Sequence, residues 1–236
     1  MNKEYFANRF VDEITCDPND NYFTEVLEHS LDFCLPKVVC DVGCGNGVFT
    51  GAIKKKFDCK LIGIDANSHA LKQASNLDFD KLIKANDFSS EPLALESNSV
   101  DLVICKDVME HLLDPVYLMR EIFRITKPGG FVLLHVPNHF PIWGRLKFLL
   151  TNDIDTFSYF TGSSRYDFPH IRFYTLSSIE EMLIKSGFMP QENLSYFFSK
   201  PPIIHRLIPQ SLTKVLSKTS TDNFSEGITV LASKAL

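Results

Sequence analysis

The chain of 236 residues is 44% apolar and carries a net charge of −5, enough to bury a large core and too acidic for general attraction to nucleic acid. Its six cysteines lack paired metal spacing, so they read as reduced structural thiols and no metal cluster is expected. The opening residues Met1 to Asp12 mix charges with aromatics, and no apolar run reaches membrane-span length, which points to a cytoplasmic protein.

In chain order, residues 21–34 pattern as an amphipathic helix, followed by the apolar run Val38 to Val42, which is broken only by Asp41. That run reads as a central parallel strand covered on both faces. Gly43, Gly45 and Gly47 then alternate, allowing a tight turn and close backbone approach to a ligand. A dinucleotide fingerprint needs a glycine where Val48 stands, so that pattern fails. Lys60 to Asp65 is a second apolar strand ending in an acid 22 residues beyond Gly43. An acid about 20 residues after such a turn can accept both ribose hydroxyls. Asp65 is the ribose candidate, with a helix N-cap as its other reading. Asp41 either meets a ligand or caps the amides of the turn.

Leu82 to Phe88 is a third apolar stretch, ending in Asn86, Asp87 and Phe88. Asp87 taken alone reads as a turn residue. Val100 to Cys105 is a fourth strand leading into Lys106-Asp107-Val108-Met109-Glu110-His111-Leu112. Glu110 and His111 lie either in a ligand loop or on a helix face without chemistry. Lys127-Pro128-Gly129-Gly130 breaks a helix before the strand Phe131 to Val136. Helical segments near 47–56, 67–77, 114–125 and 177–186 alternate with the strands, the last opened by Ser177-Ser178 and stopped by Gly187. Residues 193–198 and 228–234 read as the final strands. This alternation argues for an α/β fold, one domain over 1–236, with a parallel sheet covered by helices on both faces.

Asp41-x-Gly43-x-Gly45-x-Gly47, then Asp65, Asp87-Phe88, Glu110-His111 and Lys127 to Gly130 together resemble the class I S-adenosylmethionine-dependent methyltransferases over about residues 36–138. The resemblance implies a seven-stranded, mostly parallel Rossmann-like sheet whose last strand is antiparallel, with S-adenosylmethionine as cofactor. It implies cofactor contacts at Asp41, Gly43, Cys44, Gly45, Asp65, Ala66, Asn86, Asp87, Phe88, Cys105, Lys106 and His111. Asp87 would accept from the adenine amine while its neighbour packs on the ring.

Two segments depart from a minimal domain of this kind. Residues 137–174 form a long, aromatic-rich connection, read as a lid over the substrate or as a satellite core. Its Val136-Pro137-Asn138, Arg145-Leu146 and His170 to Thr175 resemble a subgroup acting on glycans, quinones and other small molecules. Residues 199–225 are amphipathic, without an acid through 218, and suit either a membrane surface or helix packing, with Pro209 splitting the helix.

The resemblance implies transfer of an activated methyl group, for which the enzyme aligns a nucleophile and excludes water. A hydroxyl acceptor needs a base, and His139, His170 and His111 are the candidates. Trp143, Arg145, Arg172 and Tyr174 are the substrate candidates, the arginines for a carboxylate or phosphate. The acceptor is read as a small molecule, a sugar, quinone or lipid-linked compound, with oxygen the default atom. Two other readings remain: a binding module that keeps the cofactor pocket without turnover, and a nicotinamide-dependent oxidoreductase.

Overall fold

A computed structural model of the protein describes residues 21–51, 53–151, 170–195 and 210–236. Seven strands form one sheet: β1 (Val38–Val42), β2 (Lys60–Asp65), β3 (Lys81–Lys84), β4 (Val100–Lys106), β5 (Thr126–Pro137), β6 (Phe188–Asn193) and β7 (Gly227–Lys234). Their order is β3-β2-β1-β4-β5-β7-β6. β1 to β5 pair in parallel, and β7 runs against both its neighbours, as the resemblance implied. The strand order reverses between β1 and β4, so a crevice opens at their carboxyl ends.

The helices are α1 (Asn21–Cys34), α2 (Ser68–Ala74), α3 (Pro115–Ile125), α4 (Ile142–Thr151), α5 (Leu176–Lys185), α6 (Gln210–Thr219) and the short α7 (Thr221–Phe224). The pleat sends alternate side chains to opposite faces, which divides the core in two. Cys40, Val42, Ile62 and Val103 join Leu118, Met119 and Ile122 of α3 and Ile179 and Leu183 of α5. Val39, Leu61, Leu102 and Ile104 join Val26, Leu27 and Leu31 of α1 on the other side. Both faces are therefore dry, which explains why the central strands are almost wholly apolar.

Local chemistry sets the helix ends. Asp114 accepts from the Tyr117 amide with Pro115 in the first turn, and Thr175 and Ser178 form a reciprocal cap at the start of α5. The cap of α5 thus lies at Thr175, ahead of the serines. Asn67, rather than Asp65, caps α2 through bonds from the His69 and Ala70 amides.

Two expected elements differ. The helix expected over 47–56 is a series of turns with a single 3₁₀ turn at Ile53–Lys55. Gly47 has φ of 77°, outside the helical region, so the helix cannot start at the turn. The strand expected over 193–198 lies instead at Phe188–Asn193, with residues 196–198 outside the described residues. It pairs with β7 through a register shift between Pro190 and Glu192, a tolerable site for proline on an edge strand.

Candidate functional site

The glycine turn leaves β1 at the sheet's reversal point, and each glycine has a different reason to lack a side chain. Gly43, Gly45 and Gly47 all adopt positive φ. A Cβ on Gly43 would sit 2.2 Å from Cγ2 of Val108, so the turn presses against the loop after β4. A Cβ on Gly45 would meet nothing within 4 Å among the described residues. That face of the turn looks onto open space, where a ligand can approach the backbone.

Acids bracket this space. Asp65, at the end of β2, accepts from the Gly45 amide at 2.7 Å and the Asn67 amide at 2.6 Å. The half-buried carboxylate therefore braces the turn, with the Ala66 amide as a further donor, and its two oxygens have more lone-pair directions than these amides fill. Asp41 lies beneath the turn, 5% exposed, and accepts from the Thr50 hydroxyl at 2.7 Å. Burial, opposed by that hydrogen bond, pushes its carboxyl up to about 7. Cys44 and Cys105 are buried, and burial raises both thiols.

Beyond β3, Asp87 caps its own turn, accepting from the Ser89 amide at 2.8 Å and the Ser90 hydroxyl at 2.9 Å. Asn86 donates to Glu91, and the Ala66 carbonyl accepts from Lys84. The Phe88 ring is 8% exposed and belongs to the core beneath α3. The acid thus has the turn role that a single-residue reading allows, and Phe88 offers no broad open face.

At the end of β4, Lys106 pairs with Asp107 and lies 4.4 Å over the Phe49 ring. Asp107 has φ of 52° and faces His135 Nε2 at 3.4 Å. Burial works against ionisation of Asp107, but Lys106 beside it prevails and holds the carboxyl down to about 2. Burial pushes His135 down to about 4, so near neutral pH Lys106, not His135, supplies the stabilising charge.

The three candidate histidines come from three separate segments and meet. His139 Nε2 lies 2.6 Å from His170 Nδ1, and the rings of His111 and His170 are 4.7 Å apart, edge to face. His139 and His170 are 0% and 7% exposed, and burial pushes them down to about 4 and about 3. Both are neutral near pH 7, which makes them weak bases. Glu110 completes the group. Its carboxyl is wholly buried, neither oxygen has a hydrogen-bond partner among the described residues, and Oε1 lies 3.8 Å from His111 Nε2 and 3.9 Å from His170 Nε2. Burial, reinforced by Asp107, raises its pKa well above the usual carboxylate range. Ligand atoms of Glu110, His111 and His170 all lie within 4.8 Å of one another. Linear spacing did not reveal this grouping, because His170 stands 60 residues from Glu110 and only the fold unites them.

The segment carrying His170 is laced onto the Glu110 turn. Ile171 and Arg172 amides donate to the Glu110 carbonyl at 2.9 and 3.1 Å, and the Tyr174 hydroxyl donates to the Met109 carbonyl at 3.1 Å. Arg172 donates to the carbonyls of Leu112 and Leu113, while Arg145 donates to those of Phe140 and Asp222. Both guanidiniums thus brace backbone inside the chain, and neither has a carboxylate or phosphate partner among the described residues. Trp143 is half-buried, with an indole N–H that has no acceptor among the described residues. Phe140 and Phe173, 49% and 52% exposed, form an aromatic mouth beside His139. The lid aromatics Phe157, Tyr159, Phe160, Tyr166 and Phe168 lie outside the described residues, as do Ile203 to Pro209 of the second insertion.

Comparison with known proteins decides the family: residues 20–193 match the family model described as "Methyltransferase domain". The chain belongs to the methyltransferase domain family. This methyltransferase chain is 33% identical over 108 residues to the ubiquinone biosynthesis O-methyltransferase of Pseudomonas fluorescens strain SBW25, covering 44% of this chain and 46% of that protein. It therefore spans about half the length of that relative. The protein of the same name from Psychrobacter arcticus is 26% identical over 174 residues, 69% of this chain and 63% of that one. A SAM-dependent methyltransferase from Archaeoglobus fulgidus shares the fold, with a TM-score of 0.58 at 18% identity over 89% of this chain and 94% of that one. So does the (4+2)-cyclase SpnF, with a TM-score of 0.60 at 16% identity over 90% and 81%.

The methyltransferase family implies S-adenosylmethionine, and the residues present fit it. Gly45 leaves the space a ligand needs, Asp65 offers acceptor directions for ribose hydroxyls, and Asp41 and Asp65 supply negative charge for a cationic ligand. Among the described residues no helix is long and apolar enough to cross a membrane.

Proposed function

We propose that the protein transfers a methyl group from S-adenosylmethionine to an oxygen of a small acceptor with an apolar, ring-containing body. The observation carrying this reading is the adjacency, across the loop after β4, of the braced glycine turn and the histidine cluster, with Val108 in that loop meeting Gly43. Bound S-adenosylmethionine supplies a methyl group already activated by its positive sulfur. Asp65 and the Gly43 to Gly45 backbone hold the nucleoside portion, and Asp41 with Lys106 sets the charge around the methionine portion. Ala66, Asn86, Asp87 and His111 line the same rim, and the buried Cys44 and Cys105 contribute through their backbone.

On the acceptor side, Phe140 and Phe173 contact the ring, and His139 and His170 offer hydrogen-bond partners to its hydroxyl. Trp143 contributes an unsatisfied donor. Arg145, Arg172 and Tyr174 position the lid of residues 137–174. The name of the curated relatives supports a quinone-type acceptor, a hydroxylated aromatic ring with an apolar tail. Sugars and other lipid-linked compounds are the competing acceptor classes.

The test measures S-adenosylhomocysteine formation with catechol- and hydroquinone-type compounds, sugars and no acceptor, alongside calorimetric binding of S-adenosylmethionine. Phenolic turnover above the acceptor-free rate is expected, with a loss of cofactor affinity of at least tenfold in Asp65→Ala. Tight cofactor binding without turnover on any class would favour the second reading, a non-catalytic binding protein. Unchanged affinity in Asp65→Ala would refute the cofactor-site assignment.

A further inference from the structure

We propose that Asn46-Gly47 in the glycine turn is a site of spontaneous covalent modification, at which Asn46 deamidates through a cyclic imide unless a ligand seated on the turn holds it closed. The sequence contains one Asn-Gly pair, and it stands here. Glycine hinders ring closure least of all residues, since no Cβ shields its amide nitrogen. The Asn46 side chain is already folded forward. Its Oδ1 accepts from the Val48 amide at 3.2 Å, so the side-chain amide lies along the Gly47 peptide that must attack it. The same bond draws electron density from the side-chain carbonyl and makes its carbon a better electrophile. Asn46 is half-buried and adjoins the space that Gly45 leaves open, where water has access to the imide.

The chemistry balances with water alone. The Gly47 nitrogen gives its proton to hydroxide and bonds to Cγ of Asn46, the Cγ–Nδ2 bond breaks, and Nδ2 leaves as ammonia with a proton from water. Water then opens the imide. Cleavage between Cγ and the ring nitrogen leaves an aspartate with the normal backbone. Cleavage at the main-chain carbonyl instead leaves isoaspartate, whose backbone runs through Cβ and Cγ and is longer by a methylene. The fold controls both steps. The Gly47 amide donates to the Cys44 carbonyl at 2.9 Å, so ring closure requires the turn to open first. Bound S-adenosylmethionine opposes that opening, a coupling that rests on the proposed cofactor site, whereas the modification itself does not. The longer backbone has no room at Gly47, where a Cβ would already lie 2.6 Å from the Phe79 ring and 3.2 Å from Cβ of Ala74. Isoaspartate therefore displaces the stretch Gly45 to Gly47, while aspartate leaves it in place. An occupied site preserves itself, and an empty one is progressively lost.

The experiment ages the full chain at mildly alkaline pH, with and without saturating S-adenosylmethionine. Peptide mapping by mass spectrometry follows the amide-to-acid mass change, electron-transfer fragmentation separates aspartate from isoaspartate, and calorimetry measures cofactor affinity. In the ligand-free chain, Asn46 is expected to convert at least tenfold faster than Asn67 and Asn98, which both precede serine. The rate should rise in proportion to hydroxide and fall at least fivefold with cofactor bound. The isoaspartate fraction should lose cofactor affinity at least tenfold. Asn46→Asp, with the normal backbone, should stay within threefold of fresh wild type, and Asn46→Gln should keep its affinity on ageing. Conversion of Asn46 no faster than that of Asn67 and Asn98 would overturn the proposal. Cofactor binding that gives no protection, or an isoaspartate form that binds as fresh chain does, would overturn the coupling to the ligand. Rapid conversion in a chain that never binds S-adenosylmethionine supports the modification site and counts against the cofactor reading. Tight cofactor binding by a chain whose ligand-free form does not convert does the reverse.

Discussion

Gly43 and Gly45 belong to one turn yet face opposite surroundings. A methyl group at Gly43 collides with Val108 and adds strain at a φ of 81°, whereas one at Gly45, φ 54°, enters open space. Gly43→Ala is expected to destabilise by about 2–4 kcal/mol, combining backbone strain with overpacking. Gly45→Ala should lose only about 1–2 kcal/mol of stability, from its left-handed φ. Both should weaken S-adenosylmethionine binding, and thermal melts with and without cofactor separate the two effects. Equal melting temperatures for the two variants would contradict the different roles given to these glycines.

Asp41 yields a prediction with a definite sign. Burial raises its folded pKa to about 7, above an ordinary value of 3.8, so the folded state binds the proton more tightly than the unfolded chain. Its contribution to stability therefore falls as pH rises from about 4 to 7 and is level beyond. Asp41→Asn keeps an acceptor for Thr50 and removes the buried charge. Its melting temperature is expected to exceed that of the wild type by a few degrees at pH 8, with the difference vanishing near pH 4. The same acid should make cofactor affinity increase with pH through about 7 in the wild type but not in the variant. A less stable variant at pH 8 would show that the carboxylate is compensated in a way the geometry does not show.

At the scale of elements, Asn138 stitches the root of the lid to the second insertion. Its side-chain amide donates to the carbonyls of Thr221, Asp222 and Ser225, and its oxygen accepts from the Phe140 amide. Asn138→Ala leaves these buried groups unpaired, an expected loss of about 2 kcal/mol. A melting temperature lower by about 4–8 °C should accompany it. Because the side-chain bonds of Asn138 run to Thr221, Asp222, Ser225 and Phe140 and not to the glycine turn, acceptor KM should rise while S-adenosylmethionine affinity stays within twofold. A cofactor affinity that falls in step would show that the lid root and the glycine turn are one mechanical unit.

The central strands were legible because both faces are buried, so Val38 to Val42 and Val100 to Cys105 are apolar except for Asp41 and Asp101. α3 and α5 were legible from their periodicity and stops. The expected helix after the glycines was not, because an apolar pattern says nothing of Gly47's positive φ. Nor was β6, whose Met189-Pro190-Gln191-Glu192 is polar and proline-bearing and is held by pairing with a strand about 40 residues later. Motif spacing singled out Asp65 and His111, and the structure places them at the glycine turn and in the histidine cluster. The functions of Arg145 and Arg172 were not, since only the fold shows which carbonyls their guanidiniums reach.

For the whole molecule, the likeness to SpnF sets a boundary on what architecture decides. A (4+2)-cyclase and a SAM-dependent methyltransferase share this fold at comparable TM-scores, so chemistry must be argued from residues lining the crevice. The proposed cofactor residues could be nominated from sequence because each stands at or just beyond the carboxyl end of an apolar strand, β1 to β4. The proposed acceptor side could not be, because it draws on residues 107–113, 138–143 and 170–174, which are far apart in the chain and meet only in the fold.

That assembly has an order in time. β7 occupies the place between β5 and β6, and through Thr229 it bonds His135, which faces Asp107 in the loop at the crevice. At its far end, the Lys234 ammonium donates to Asn98 and to the carbonyls of Phe123 and Thr126. During synthesis the ribosome releases β7 after every other strand, so β5 emerges with an unpaired edge and β6 with no neighbour at all. The parallel half can form while translation continues, but the finished crevice waits for residues 227–234 to leave the exit tunnel.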